Sequence, residues 1–195
     1  MGAAADIGTY LVQTLFELYL FVVVTRFLLQ VARADFYNPI SQTLVKVTNP
    51  LLMPIRKVVP GFGGLDIASI VLGVIIQVVA MSLILVMQGY GLYNPAKLAL
   101  WGLIGLLQMI ANVYFFALIV SIVLSWIAPG SYHPAALLIS QLVDPIMRPI
   151  RAILPSLGGL DISPIFAFIG INISKIIISH LGAASGLPPG LVLGI

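Results

Sequence analysis

Pro54-Ile55-Arg56-Lys57-Val58-Val59-Pro60-Gly61-Phe62-Gly63-Gly64-Leu65-Asp66-Ile67 returns 95 residues later as Pro149-Ile150-Arg151-Ala152-Ile153-Leu154-Pro155-Ser156-Leu157-Gly158-Gly159-Leu160-Asp161-Ile162. Aligned without a gap from Asn49 to Val71, the two copies agree at 11 of 23 positions. The identities fall on Pro, Arg, Gly and Asp, where a shared apolar composition does not force agreement. The chain is therefore a duplication, and each copy should fold as one repeated unit.

Working outward, an apolar run flanks each copy on both sides. Four runs approach or exceed the ~20 residues that cross a bilayer: 9–31, 67–87, 100–127 and 164–181. Of 195 residues, 61% are hydrophobic and 8% charged. A soluble domain carries about 25% charged residues, so lipid must cover much of this surface. The expected fold is an all-α membrane protein. Its four transmembrane helices form two parallel two-helix repeats, residues 1–95 and 96–195, with interfacial amphipathic loops. The copies share one orientation because each contributes an even number of spans.

Orientation follows from the basic residues. Arg33, Lys46, Arg56 and Lys57 fall in the first long loop and Arg148 and Arg151 in the second, against Lys97 on the other side. The positive-inside rule puts both loops in the cytoplasm and both termini outside. No basic residue precedes the first apolar run, so that run is expected to stay as a span rather than act as a leader. The tail 182–195, rich in Gly and Pro, reads as a loose end. Tyr10, Tyr90, Tyr93, Trp101 and Trp126 fall near span ends, as aromatic belts do.

In the repeated loop, Pro54 and Pro60 bracket Arg56, and Pro149 and Pro155 bracket Arg151. Proline removes a donor, so the stretch should not be one long helix. A short amphipathic element at the headgroup layer suits it, with Arg56 and Lys57 toward anionic lipid headgroups. Gly63-Gly64, like Gly158-Gly159, permits a sharp turn. Asp66 and Asp161 are placed to cap the helices that follow, with Pro164 in the first turn of the last one. The alternative is that Arg and Asp of both loops form a joint polar surface for a partner.

Three ionisable residues interrupt the spans: Glu17, Arg26 and Lys175. Each costs about 2.5–3.5 kcal/mol alone in lipid. Arg26, near a span end, is expected to snorkel. Glu17 and Lys175 lie near mid-membrane and are expected to pair across the bundle. The 95-residue shift sets Glu17 on Asn112, Lys175 on Ala80 and Arg26 on Ser121, so the copies differ inside the membrane. These polar residues either pair structurally or line a solute or proton path. Gly170 to Ser174 and Gly182 to Gly186 have small-residue spacing for close helix approach.

At these residues the chain resembles the YggT family of small bacterial membrane proteins, which has chloroplast relatives. The Pro/Arg/Pro/Gly-Gly/Asp loop is the most specific part, and the likeness covers nearly the whole chain as two tandem units. Leu124-Ser125-Trp126 looks like the family's usual helix end, whereas the first copy has Leu29-Gln30-Val31 there. The resemblance implies a multi-pass protein of the bacterial inner membrane. It also implies links to osmotic-stress tolerance, envelope and division contexts, nucleoid distribution and, in plastids, cytochrome b6 maturation.

Without cysteine, and with two separated histidines, the chain offers no disulfide or thiolate metal site. No metal, cofactor, nucleophile–base pair or phosphate loop is expected, so an enzyme is not. The expected function is a non-catalytic scaffold or assembly factor working through its loops. Its expected partners are lipid, another membrane protein and further copies of itself, with no direct nucleic-acid contact. The alternative is a small oligomeric channel or transporter.

Overall fold

The computed structural model describes residues 2–91, 93–154 and 161–194, apart from the Ala4 side chain. Six helices follow one another: α1 (Ala3–Val31), α2 (Pro39–Val58), α3 (Ile67–Met87), α4 (Pro95–Ile127), α5 (Pro134–Ile153) and α6 (Ser163–Ala184). α1, α3, α4 and α6 are long and apolar enough to cross a bilayer, so the chain is a multi-pass membrane protein. α1 and α4 begin earlier than the apolar runs alone indicate.

Three helices start on a polar residue followed by proline. The side chains of Asn38, Asn94 and His133 accept from the main-chain N–H of Ile40, Ala96 and Ala135 at 2.9, 2.8 and 3.2 Å. Proline next in line has no N–H to leave unpaired and is preset for helix. Asn38-Pro39 and His133-Pro134 are again 95 residues apart, so the repeat extends to these helix starts.

The interfacial loops are a correction: most of each is a 20-residue helix, α2 or α5, that continues through two prolines. An interior proline usually costs about 3 kcal/mol, because a helix carbonyl loses its donor. Here Pro50 and Pro54, like Pro145 and Pro149, lie one turn apart on an exposed face. The carbonyls they release can turn outward to polar surroundings. The opposite face is apolar and packs on the core through Leu52, Ile55 and Val59 in and just after α2 and Leu142, Met147 and Ile150 in α5. At Pro60 the expectation of a break fits: α2 ends at Val58.

The Gly-Gly pair then reverses the chain. Phe62 and Leu65 exchange both main-chain hydrogen bonds at 3.1 and 3.0 Å. Between them Gly63 and Gly64 have φ of 61° and 81°. Two consecutive left-handed residues define a type I′ turn, which a side chain disfavours. Pro155, Gly158 and Gly159, the corresponding residues of the second copy, lie outside the described residues.

α3 packs on α1 and α4, and α6 on α4 and α5, while α1 and α6 do not touch. Glycines allow the close approaches between α3 and α4: Gly73 faces Leu106, and Gly102 and Gly105 face Gln77. Gly170 faces open space, so the Gly170–Ser174 spacing packs no helix within the chain. Large apolar side chains such as Leu15, Leu18, Ile169, Ile173 and Ile176 stay exposed, as lipid-facing residues do.

The tail is no loose end. Leu191, Val192 and Leu193 are buried, and the first two join Met81, Ile84, Leu98, Trp101 and Ile104 in a compact apolar cluster. Trp101 is likewise fully buried rather than part of an aromatic belt, and its indole N–H donates to Ser185 Oγ at 3.0 Å.

Gly63→Ala and Gly64→Ala should each lower stability by about 1–2 kcal/mol through the left-handed backbone alone, since no atom crowds either position. Thermal unfolding in nanodiscs checks this, with Gly91→Ala as a comparison at an uncrowded glycine without positive φ.

Candidate functional site: paired Arg–Asp locks and an intramembrane cleft

The type I′ turn brings Asp66 back beside Arg56, ten residues earlier. Arg56 Nε donates to Asp66 Oδ1 at 3.3 Å and its Nη2 to Oδ2. Ser69 Oγ donates to the same carboxylate at 2.6 Å. Asp66 sits at the N-cap position of α3, but its carboxylate takes no main-chain N–H there. It fastens the end of α2 to the start of α3 instead. In the second copy Arg151 Nε donates to Asp161 at 2.9 Å, and Asp161 also accepts from the N–H of Ser163, the first residue of α6, at 2.9 Å, although Ile162 and not Asp161 holds the N-cap position. Pro164 lies in the first turn of α6.

The Arg–Asp pairs close within each copy rather than across copies. Besides the packing of α4 on α1 and α3, polar contacts join the copies near the starts of α2 and α5, where Asn38 Nδ2 donates to the Pro134 carbonyl at 2.7 Å and the Asp35 N–H donates to Gln141 Oε1 at 3.0 Å.

The two locks differ in environment. The Asp66 side chain is 6% exposed and that of Asp161 43%. Burial alone would raise the Asp66 carboxyl, but hydrogen bonds from Arg56 and Ser69, and the charges of Arg56 and Arg26, hold it below the ordinary carboxylate value. Burial pushes Asp161 the same way, and hydrogen bonds from Ser163 and Arg151 outweigh it. Arg26 does not snorkel: it is 6% exposed, close enough to act on Asp66, and its Nη1 has no hydrogen-bond partner. At the matching place in the second copy, Ser121 leaves a cavity of about 490 Å³ lined also by Ser125, Trp126, Met147, Arg151 and Asp161.

Glu17 and Lys175 do not pair. α4 separates the helices that carry them, and α1 and α6 make no contact among the described residues. Lys175 Nζ lies 5.2 Å from the centroid of the Phe115 ring. Glu17 is exposed, in a groove of about 220 Å³ that it shares with Asn112 and Phe116.

Asn112 serves a different partner, the tail. Its Nδ2 donates to the Gly194 carbonyl at 2.8 Å. Gln13 Nε2 donates to the Gly190 carbonyl at 3.0 Å. Fully buried Gln77 takes Leu193 from both sides, donating to its carbonyl at 3.1 Å and accepting its N–H at 3.0 Å. Side-chain amides of α1, α3 and α4 thus hold the main chain of a non-helical segment. Gly105 makes room: a Cβ there would overlap Val192. Thr9 Oγ1 and Gln108 Oε1, one turn from Gln13 and Asn112 respectively, are buried without partners. Sequence reasoning missed Gln77; its signal was a lone amide in an otherwise strongly apolar span. Among the described residues no three His, Cys, Asp or Glu side chains gather to hold a metal.

A carboxyl held below its ordinary value stabilises the fold above that value and loses the contribution as pH falls through the lowered one. Asp66→Asn should therefore lower stability at pH 7 by about 1–3 kcal/mol once the partial exposure of Arg56 is discounted, read as a lower thermal midpoint. The gap to the parent should close as pH falls below 3.8, the ordinary carboxyl value. Asp161→Asn, with both partners solvated, should cost less than about 1 kcal/mol.

Comparison with known proteins bears on the same residues. The CCB3/YggT family model matches residues 5–87 and again 100–182. An uncharacterised protein of Pseudomonas aeruginosa is 50% identical over 184 residues, 93% of this chain and 93% of its own. The uncharacterised protein YggT of Escherichia coli K12 is 35% identical over 191 residues, 96% of this chain and 98% of its own. YlmG homolog protein 2, chloroplastic, of Arabidopsis thaliana is 41% identical over 64 residues, 31% of this chain and 24% of its own. No solved structure matches the chain. A duplicated four-span protein whose two halves each match one family model belongs to the CCB3/YggT family.

Proposed function

We propose that this protein is a non-catalytic scaffold or assembly and stress-tolerance factor of the bacterial inner membrane, presenting α2 and α5 on the cytoplasmic side to another membrane protein. The six basic residues of the α1–α3 and α4–α6 connections, against Lys97 on the other side, support that orientation, with both termini outside. The two units run parallel about an axis between α1 and α4. The groove there supports this, because its lining includes Thr14 with Met109, Glu17 with Asn112 and Phe21 with Phe116, each pair 95 residues apart.

The observation that carries the scaffold reading is the filled interior. Leu191, Val192 and Leu193 occupy the space between α1, α3 and α4 that a transported solute would need. The working surface is then the outside, where each Arg–Asp lock fixes an interfacial helix to its span. A fixed platform binds at a lower ordering cost than a mobile loop. Lys46 and Lys57 are exposed on α2 and suit anionic headgroups or an acidic partner.

A channel or transporter is the second reading, favoured by one feature. Gln13, Gln77 and Asn112 point into the cleft that the tail occupies, and withdrawal of the tail would leave these amides facing a polar route.

A photocrosslinker at Lys57 in native membranes, together with ion flux in liposomes, separates the two. The scaffold reading expects one defined membrane-protein partner, lost when Lys46 is reversed in charge, and no flux above empty liposomes. Self-crosslinks alone, with flux that rises at least tenfold when residues 186–195 are removed, would support transport instead.

A further inference from the structure

Glu17 is the middle residue of α1, and Lys175 lies within two residues of the middle of α6. Both rest against the same stretch of α4: Glu17 shares its groove with Asn112 and Phe116, and Lys175 lies over Phe115. Neighbouring residues of one helix turn differ in height by at most about 5 Å. The two charges therefore lie at one depth near mid-membrane. Within the chain neither finds an opposite charge among the described residues. Glu17 is exposed, and nothing among the described residues covers it.

An ionisable side chain within a span almost always faces protein or water, and pairs there. Glu17 faces outward instead, in a groove that can be covered. The bilayer sets every copy of the chain at the same depth and orientation. A second copy thus brings its own Lys175 level with Glu17, with no vertical shift. We infer that Glu17 of one copy pairs with Lys175 of a second copy, in a seam where the α1–α4 groove of one chain receives α6 of the next. Apolar side chains flank both charges: Leu18, Phe21 and Phe116 line the groove with Glu17, and Ile176 is exposed next to Lys175 along α6. These would meet around the pair and exclude lipid from it. Lys175 can turn from the Phe115 ring without breaking a hydrogen bond. The contact joins two different surfaces, so it propagates from copy to copy into a ring or a row rather than closing as a symmetric dimer. It is independent of the scaffold reading, because α2 and α5 take no part in it.

The natural chain has no cysteine, so thiol chemistry reports only on added positions. Two differently tagged full-length chains, one Leu18→Cys beside Glu17 and the other Ile176→Cys beside Lys175, keep both charges; they are co-expressed and treated in membranes with a short bifunctional thiol crosslinker. Mixed-tag dimers are expected. In chains with native thiol-free composition, Glu17→Lys or Lys175→Glu alone should reduce the oligomer fraction about tenfold on native gels of mild-detergent extracts. The double exchange should restore it. Both single variants should be checked for monomer yield, and the crosslinking result stands even where one folds poorly. Absence of mixed-tag dimers while each thiol is labelled by a lipid-soluble maleimide would overturn the inference. Capture of a different protein at Leu18→Cys, or no rescue by the double exchange, would overturn it too.

Discussion

A main-chain N–H or C=O left unpaired in hydrocarbon costs several kcal/mol, because no water is present to replace the lost partner. Four spans meet this constraint as helices. The segment after α6 does not: it enters the protein without helical bonds, and its main chain must be paired by something else. Gln13, Gln77 and Asn112 supply the pairing from three helices, and Gly105 supplies the space. Irregular backbone at membrane depth is tolerated where protein surrounds it, and here the burial of Leu191 to Leu193 meets that condition. The cleft and the tail depend on each other. Without the tail, the buried amides would lose their partners; without the amides, the tail would carry unpaired groups.

The same accounting explains the duplicated motif. A helix at the interface must be tied to the span that follows, or its apolar face has no fixed seat. A charged pair ten residues apart does this in both copies. The copies then diverge: buried Arg26 adds a third charge beside Asp66, whereas Ser121 leaves open space beside Asp161. Duplication kept the lock and freed its surroundings to differ.

Much of this was legible in the sequence. The repeat, the four spans and the family follow from residues whose chemistry is local: Pro, Gly, Arg and Asp at fixed spacing, and uninterrupted apolar runs. α2 and α5 were hidden by their own prolines, since the penalty for Pro50 and Pro54 depends on which face they occupy. The Arg–Asp pairs were hidden by a ten-residue separation that only the turn closes. Asp66 reads equally as a cap from sequence, and the competition between Arg56 and a main-chain N–H is decided by geometry. The tail misled because Gly and Pro mark chain without regular structure, and that is compatible with burial when polar side chains elsewhere pair its backbone. Glu17 and Lys175 were expected to pair across the bundle; they do not, because lateral position is set by tertiary packing that spacing does not encode.

The docked tail is the feature on which the filled interior rests, and a single thiol tests it directly. Val192, buried in the cleft, is replaced by the smaller Cys in the otherwise cysteine-free chain. In folded protein in membranes this thiol should stay unlabelled by a water-soluble maleimide and become labelled after denaturation. If it reacts freely in the folded protein, the tail does not lie between α1, α3 and α4, and the filled interior is contradicted.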